Sequence, residues 1–224
     1  MSALILLVES DRTVLGRTEA LLTTAGHLVA AVSTYHDAKH LMDSVSPDML
    51  IVGVRLDAFN GMHLAVRCRR EYPLPPVMIT SPGPDAVVAM EAERIGAIFF
   101  VDPANNPEFL PRVAAALAEH RRTQPTIRRW PRKQVPGMLE AELEQAPARV
   151  FDVSYGGLRL AFDAKRTLPE QFDITLRERG VTVKARPVWT YVSPSTNEFW
   201  CGAELVDNDN DPITMDWRAL VDAT

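Results

Sequence analysis

The chain has 224 residues, a length typical of one large domain or two ordinary ones, and its 46% hydrophobic and 24% charged residues are proportions of a globular protein. Its net charge of −5 gives no support to non-specific DNA binding, and no apolar run approaches the roughly 20 residues that a membrane-spanning helix needs. Cys68 and Cys201 are far apart, which disfavours a disulfide or zinc site and fits a reducing compartment. We therefore expect a cytoplasmic protein without DNA contacts or membrane insertion.

The first half of the chain alternates short apolar runs with amphipathic segments. Residues 4–9, LILLVE, are typical of a buried parallel strand, and the following segment is typical of a helix that ends at Gly26. Four further repeats of this pattern follow, up to about residue 122. Five strand–helix units predict an α/β, doubly wound, five-stranded parallel sheet with helices on both faces and a ligand site at the carboxyl ends of the strands.

Five segments of this half match one family pattern in order: LILLVESD, LLTTAGHLV, PDMLIVGVRLDAFNGMHLAVRCRR, PVMITS and GAIFFVDP. On these segments the half resembles the receiver domain of bacterial two-component response regulators. The resemblance covers residues 3–122, so we assign residues 1–122 to a receiver-like (CheY-like) domain. The resemblance implies a role in signal transduction.

The positions that carry phosphorylation chemistry in this family differ in this chain. Gly53 stands where the family has its phosphoacceptor aspartate, and a glycine cannot accept a phosphoryl group. The acidic pair that holds Mg²⁺ corresponds to Glu9 and Ser10, so one carboxylate is missing from a site that needs several oxygen anions. Asp102 replaces the family's lysine. We therefore expect a pseudo-receiver that is not phosphorylated and holds no metal.

Two questions about this half stay open at the level of sequence. Asp57 lies four residues beyond Gly53 and is a less favoured alternative phosphoacceptor. Receivers commonly pair through the face built from their fourth and fifth helices, which corresponds to about residues 85–95 and 107–120. The resemblance thus suggests a homodimer or a docking surface for an unknown downstream protein, and a domain that merely acts as a spacer is equally compatible with the sequence.

The composition changes after His120. Six basic residues fall within 121–133, and the stretch RRTQPTIRRWPRKQVPG contains three prolines, as a linker leading into an extended segment would. Six strand candidates with turn signals between them follow, and then one short helix, TMDWRALVDA. The pattern predicts an all-β, six-stranded antiparallel barrel with a short C-terminal helix. The strand candidates are MLEAELEQ, ARVFDVS, GGLRLAF, QFDITLRE, VTVKARPVWTYV and FWCGAELV.

Two spacings in this half carry chemistry: Arg128-x3-Arg132, and Asp152-x-Ser154-x2-Gly157. Alone, the first could be a solvated basic face and the second a simple turn followed by a glycine bulge. In this order, about twenty residues apart and separated by one strand, they resemble the PilZ domain, a receptor for cyclic di-GMP. The resemblance covers about residues 124–224, and we assign residues 123–224 to a PilZ-like domain.

The resemblance implies a ligand with two phosphates and two guanines. A planar guanidinium can donate two hydrogen bonds to guanine O6 and N7 or to phosphate oxygens. A carboxylate can accept from guanine N1–H and N2–H. In the expected cyclic di-GMP site, Arg128 and Arg132 bind guanine or phosphate, and Arg129 binds phosphate. Asp152 accepts from a guanine edge and Ser154 contributes its hydroxyl. Gly157 allows close backbone approach or a turn.

We therefore expect a non-catalytic cyclic di-GMP receptor in which binding changes interdomain or partner contacts. The alternative is a protein-interaction adaptor that binds no nucleotide, and a regulator phosphorylated at Asp57 is a third possibility. The sequence contains no GxSxG, Walker A, HExxH or paired CxxC motif, so an enzyme is the least favoured class.

Overall fold

A computed structural model of the chain describes residues 3–44, 47–71, 75–123, 133–163, 167–192, 197–206 and 212–224. The chain divides into two compact units, Met1–Ile127 and Arg128–Thr224.

In its described residues, the first unit is built on a five-stranded sheet with five helices. All five strands are parallel, in the order β2-β1-β3-β6-β7. The elements in chain order are β1 (Leu4–Val8), α1 (Arg12–Thr24), β2 (Leu28–Val32), α2 (Tyr35–Ser44), β3 (Met49–Gly53), β4 (Arg55–Leu56), β5 (Phe59–Asn60), α3 (Met62–Glu71), β6 (Val77–Ser81), α4 (Ala86–Arg94), β7 (Ile98–Val101) and α5 (Phe109–Thr123). The predicted doubly wound sheet is confirmed.

The apolar runs form these strands because both faces of the sheet are covered. Every residue of β1, β3 and β6 is buried. Ile5 and Leu7 pack in one cluster with Leu22 of α1 and Val113 of α5. Since successive side chains of a strand point to opposite faces, Leu6 is buried on the other side of the sheet. A continuous apolar strand is thus the expected sequence for this position.

Local capping fixes the first helix. Asp11 precedes α1, and its carboxylate accepts hydrogen bonds from the backbone N–H groups of Thr13 and Val14, which have no partner inside the helix. At the other end Gly26 adopts a φ of +85°, the left-handed conformation that commonly ends a helix and that glycine tolerates without strain. The helix boundaries predicted from this pattern are therefore close to those observed.

The second unit is a closed antiparallel barrel with the strand order β10-β13-β12-β11-β8-β9. This confirms the predicted six-stranded barrel and short terminal helix. Its elements are β8 (Lys133–Leu143), β9 (Ala146–Ser154), β10 (Gly157–Asp163), β11 (Phe172–Leu176), a 3₁₀ turn (Arg177–Arg179), β12 (Val181–Val192), β13 (Glu198–Leu205) and α6 (Pro212–Ala223).

Helix α6 contributes to the core of the barrel. Trp217, Leu220 and Val221 are buried in the same cluster as the inward-facing residues of the strands, among them Val153 and Leu158. Trp217 is fully buried. The spacing of the three α6 residues places them on one helical face, so α6 is held by apolar packing rather than by its intrinsic helix propensity.

The sequence did not predict the short hairpin of β4 and β5, which follows β3 in the first unit. Two residues per strand give too little alternation for a periodic signal. None of the helices in the described ranges is long and apolar enough to cross a membrane.

Candidate functional sites at the sheet edge and on the barrel

At the carboxyl end of β3, the side chain of Glu9 occupies the space next to Gly53. Gly53 ends that strand, and a Cβ added to it would lie 2.5 Å from Oε2 of Glu9, which follows β1. The other carboxylate oxygen, Oε1, accepts a hydrogen bond from the backbone N–H of Asp11 at 3.0 Å. Burial raises the pKa of Glu9 above its ordinary value. The Glu9 carboxylate therefore fills the space beside a residue that has no side chain.

The remaining polar residues at this edge make local contacts. The Ser10 hydroxyl donates to the carbonyl of Arg55 at 3.1 Å. Asp102 has a φ of +49°, and its carboxylate accepts from the Asn105 side chain at 2.8 Å. Asp57 is exposed and also has a positive φ, +50°. In the described ranges, no three or more His, Cys, Asp or Glu side chains are arranged to hold a metal ion.

The motif from Asp152 to Gly157 spans the turn between β9 and β10. Ser154 and Gly157 are cross-strand partners, and the Ser154 hydroxyl donates to the Gly157 carbonyl at 3.2 Å. A Cβ on Gly157 would lie 2.3 Å from the carbonyl oxygen of Ala203 on β13. The glycine therefore permits close approach of a neighbouring strand. In the described part of the chain, Gly157 is not among the residues with positive φ, so a left-handed backbone conformation is not the reason for a glycine at this position.

Asp152 is buried next to an arginine. Its carboxylate accepts a hydrogen bond from Nε of Arg159, its cross-strand partner on β10, and the two residues are each 3% exposed. Taking two charges out of water is costly, and close pairing offsets that cost. The predicted contact of Asp152 with a guanine edge stays a prediction, and the structure adds Arg159 as its protein partner.

A bulge lies directly beside Asp152. Asp152 pairs with Arg159 and Val150 with Leu160, which leaves Phe151 as the extra residue of β9. Phe151 is buried and packs edge-to-face on Trp200 of β13, with ring centroids 6.3 Å apart. Bulges re-aim side chains and are frequent beside functional sites. Here the extra residue turns an aromatic ring toward β13 next to the motif.

Strand β8 begins beside the same motif. Lys133 pairs with Val153, and Gln134 pairs with Asp152. The predicted ligand residues Arg128, Arg129 and Arg132 lie outside the described residues. Arg132 directly precedes Lys133 in the chain.

Residues 5–113 match the family described as response regulator receiver domain. The N-terminal unit is a receiver domain. The transcriptional regulatory protein AfsQ1 of Streptomyces coelicolor is 28% identical over 113 residues, which cover 50% of this chain and 50% of that protein. The DNA-binding transcriptional regulator NtrC of Proteus hauseri is 26% identical over 115 residues, or 51% of this chain and 24% of that protein.

Solved structures agree with the receiver fold. A CheY-like receiver domain protein from Methanospirillum hungatei superposes with a TM-score of 0.52 at 17% identity, covering 55% of this chain and 100% of that one. The non-phosphorylated HemR receiver domain from Leptospira biflexa gives 0.50 at 24% identity, covering 55% and 98%. At these identities the likeness supports the fold alone. The family match ends at residue 113 and does not include the barrel.

Sequence reasoning missed one contact in the receiver domain and one residue in the barrel. It named Gly53 and Glu9 separately but did not predict that the Glu9 side chain fills the space beside Gly53, because a contact between the ends of two strands leaves no local signal. It also missed Arg159, although a signal was present. A two-residue loop at Tyr155–Gly156 makes Ser154 and Gly157 partners, and counting outward from them pairs Asp152 with Arg159.

Proposed function

We propose that the chain is a non-catalytic cyclic di-GMP receptor in bacterial signalling, in which the barrel is a PilZ-type domain that binds the nucleotide. The supporting observation is the register of β8 and β9, which pairs Lys133 with Val153 and Gln134 with Asp152. The strand that starts directly after the arginine segment (residues 128–132) therefore runs beside the Asp152–Gly157 motif.

The chemistry of the two motifs fits a compact dianion with two guanine edges. Arg128 and Arg132 supply guanidinium forks for guanine O6 and N7 or for phosphate, and Arg129 supplies a further phosphate contact. A carboxylate has about four acceptor sites, so pairing of Asp152 with Arg159 and acceptance from a guanine edge are chemically compatible. Ser154 contributes its hydroxyl. Isothermal titration of the purified chain with cyclic di-GMP tests the proposal.

One observation favours a second candidate, an interaction adaptor that binds no nucleotide. Asp152 is 3% exposed and already has a charged partner, Arg159. In that case Asp152, Ser154 and Gly157 only stabilise the barrel and bind no ligand. The same titration distinguishes the two candidates, because the adaptor produces no heat with the nucleotide.

We further propose that the receiver domain works without phosphorylation. Gly53 offers no acceptor group, and the Glu9 carboxylate lies beside it. Asp57, the alternative acceptor, is exposed in the turn between β4 and β5. Incubation with acetyl phosphate and Mg²⁺, followed by mass measurement, is expected to leave the mass of the protein unchanged. A phosphoryl adduct at Asp57 would establish the phosphorylation-gated alternative.

The proposed role of the receiver domain is to form a homodimer or to dock a downstream protein. Val87 and Met90 of α4 are each 66% exposed, and their spacing of three residues puts them on one face of the helix. Apolar side chains exposed together on one helical face support a pairing surface. Nucleotide binding to the barrel would change signalling output only if the two conformational states differ in their affinity for the ligand.

A further inference from the structure

The turn of the Asp152–Gly157 motif differs from the favoured two-residue hairpin turns. Tyr155 and Gly156 form a two-residue loop between paired Ser154 and Gly157. The favoured two-residue hairpin turns have a positive φ at the first central residue or at both. In the described part of the chain, neither Tyr155 nor Gly156 is among the residues with positive φ. Local backbone preference therefore does not fix this turn.

Helix α6 contacts this turn through three side chains. The indole N–H of Trp217, which is fully buried, donates to the Ser154 carbonyl at 2.8 Å. The Tyr155 hydroxyl donates to Oδ1 of Asp222 at 2.5 Å. The guanidinium carbon of Arg218 lies 6.0 Å from the centroid of the Tyr155 ring, within the range of a cation–π contact. The turn is thus held by a helix more than fifty residues away in the chain.

Asp222 also binds the beginning of β8. The Nζ of Lys133 donates to the Asp222 backbone carbonyl at 3.2 Å, near the end of α6 where unpaired carbonyls attract a cation. Lys133 is the first described residue after the arginine segment. Asp222 therefore makes two contacts. Its carboxylate binds the turn of the Asp152–Gly157 motif, and its backbone carbonyl binds Lys133, the first residue of β8.

We propose that Asp222 is a positioning residue of the nucleotide site, which holds the turn of the Asp152–Gly157 motif in place beside the first residue of β8. The inference rests on the proposed receptor function. Pre-organising groups before the ligand arrives reduces the ordering cost of binding. Asp222→Ala removes the hydrogen bond from Tyr155 and keeps the backbone carbonyl that binds Lys133. Loss of the Tyr155 bond is expected to weaken binding roughly tenfold, or about 1.4 kcal/mol, near the upper end of the usual net contribution of a hydrogen bond.

The direction in which the nucleotide affinity changes distinguishes a positioning role of Asp222 from a purely electrostatic one. The ligand is a dianion, so removal of a nearby carboxylate strengthens its binding if Asp222 acts only through charge. If Asp222 positions the turn at Tyr155, Asp222→Ala weakens binding. Asp216 is exposed on the same helix and makes none of these contacts, so Asp216→Ala is a control that removes the same charge.

The experiment is titration of the full chain with cyclic di-GMP for the wild type and four variants: Asp222→Ala, Tyr155→Phe, their double mutant, and Asp216→Ala. We expect roughly tenfold weaker binding for each of the first two, no further loss in the double mutant, and wild-type or tighter binding for Asp216→Ala. Circular dichroism spectra are expected to match that of Asp216→Ala, and the thermal midpoints are expected to stay well above the temperature of the titration. Cyclic di-GMP is also expected to slow hydrogen exchange of α6 in the wild type but not in Asp222→Ala.

The outcomes distinguish this inference from the receptor proposal. If the wild type binds and Asp222→Ala binds as tightly as Asp216→Ala, the positioning role is wrong and the receptor proposal stands. If Asp222→Ala binds more weakly only because the barrel has unfolded, Tyr155→Phe decides, since it removes one hydroxyl and no charge. If the folded wild type binds no nucleotide, both proposals are wrong.

Discussion

The carboxylate of Asp152 accepts a hydrogen bond from Nε of Arg159, and the two buried residues face each other across neighbouring strands of the barrel. Removing one member of a buried ion pair leaves the other charge uncompensated, which typically costs about 3–5 kcal/mol. A substitution of Asp152 can therefore abolish ligand binding by unfolding the barrel, so a test of Asp152 as a ligand residue also has to measure stability.

We expect Asp152→Asn to destabilise the barrel by about 3 kcal/mol, because the Arg159 charge stays buried. The double variant Asp152→Leu with Arg159→Met is expected to be more stable than either single change, since no charge is left unpaired. Urea unfolding followed by tryptophan fluorescence measures this. If the free-energy changes of Asp152→Leu alone and Arg159→Met alone add up to that of the double variant, the two side chains are not coupled. The double variant, if folded, also tests whether cyclic di-GMP needs the Asp152 carboxylate.

A second prediction concerns Glu9 and Gly53. We expect Gly53→Asp to destabilise the receiver domain by about 1 kcal/mol, because the new Cβ would lie 2.5 Å from Oε2 of Glu9, so that the Glu9 side chain has to move and a second carboxylate enters the same space. Shortening Glu9 by Glu9→Asp in the same chain is expected to recover part of that loss. Chemical unfolding of the two single variants and the double variant gives the coupling free energy.

The matched control for that cycle is Gly83→Asp. A Cβ at Gly83 meets no atom within 4 Å, so the same substitution there is expected to change stability by less than about 0.5 kcal/mol. If Gly53→Asp costs no more than Gly83→Asp, the Glu9 side chain does not occupy the space beside Gly53.

A third prediction is a pH dependence that originates at His27. Its Nδ1 accepts a hydrogen bond from the backbone N–H of Ala3 at 3.2 Å, and burial lowers the pKa of the ring below 6.5. Because the folded pKa is the lower one, the stabilisation is present above pH 6.5 and is lost as the pH falls through the folded value. The thermal midpoint of the receiver domain should therefore fall on acidification from neutral pH, and His27→Gln should reduce this fall. The exposed His63 of α3 provides the control, His63→Gln.

A fourth prediction tests the exposed face of α4. If the chain is a homodimer through this face, Met90→Glu introduces a charge into an apolar interface and converts the dimer to a monomer. Light scattering measures the mass directly. Met215 of α6 is 70% exposed, so Met215→Glu is the same change outside the proposed interface and should leave the mass unaltered. A monomeric wild type, or a variant Met90→Glu that stays dimeric, would contradict the proposal.

The fold was predictable because its signals are local. Buried strands such as β3 are continuous apolar runs, and β12 alternates buried and exposed residues along most of its length. The capping carboxylate of Asp11 and the left-handed Gly26 mark the ends of α1. The β4–β5 hairpin was missed because its strands are too short to show a period.

The candidate sites were only partly predictable, because their contacts join distant parts of the chain. Periodicity predicted α6, but nothing in its sequence indicates that Asp222 contacts both Tyr155 and Lys133. Likewise, Gly157 was expected to allow a ligand or a turn, and the structure shows that it allows the approach of β13. Such relationships depend on how strands and helices pack, which residue type and spacing do not encode.

The most direct test of the receptor account is calorimetric titration of the folded chain with cyclic di-GMP, alongside Arg132→Ala and the control Arg179→Ala, an exposed arginine on the 3₁₀ turn. The account predicts saturable heat at micromolar nucleotide for the wild type and Arg179→Ala. It predicts no binding for Arg132→Ala, whose circular dichroism spectrum stays native. A folded wild-type chain that gives no heat, or an Arg132→Ala variant that binds as tightly as the wild type, would contradict it.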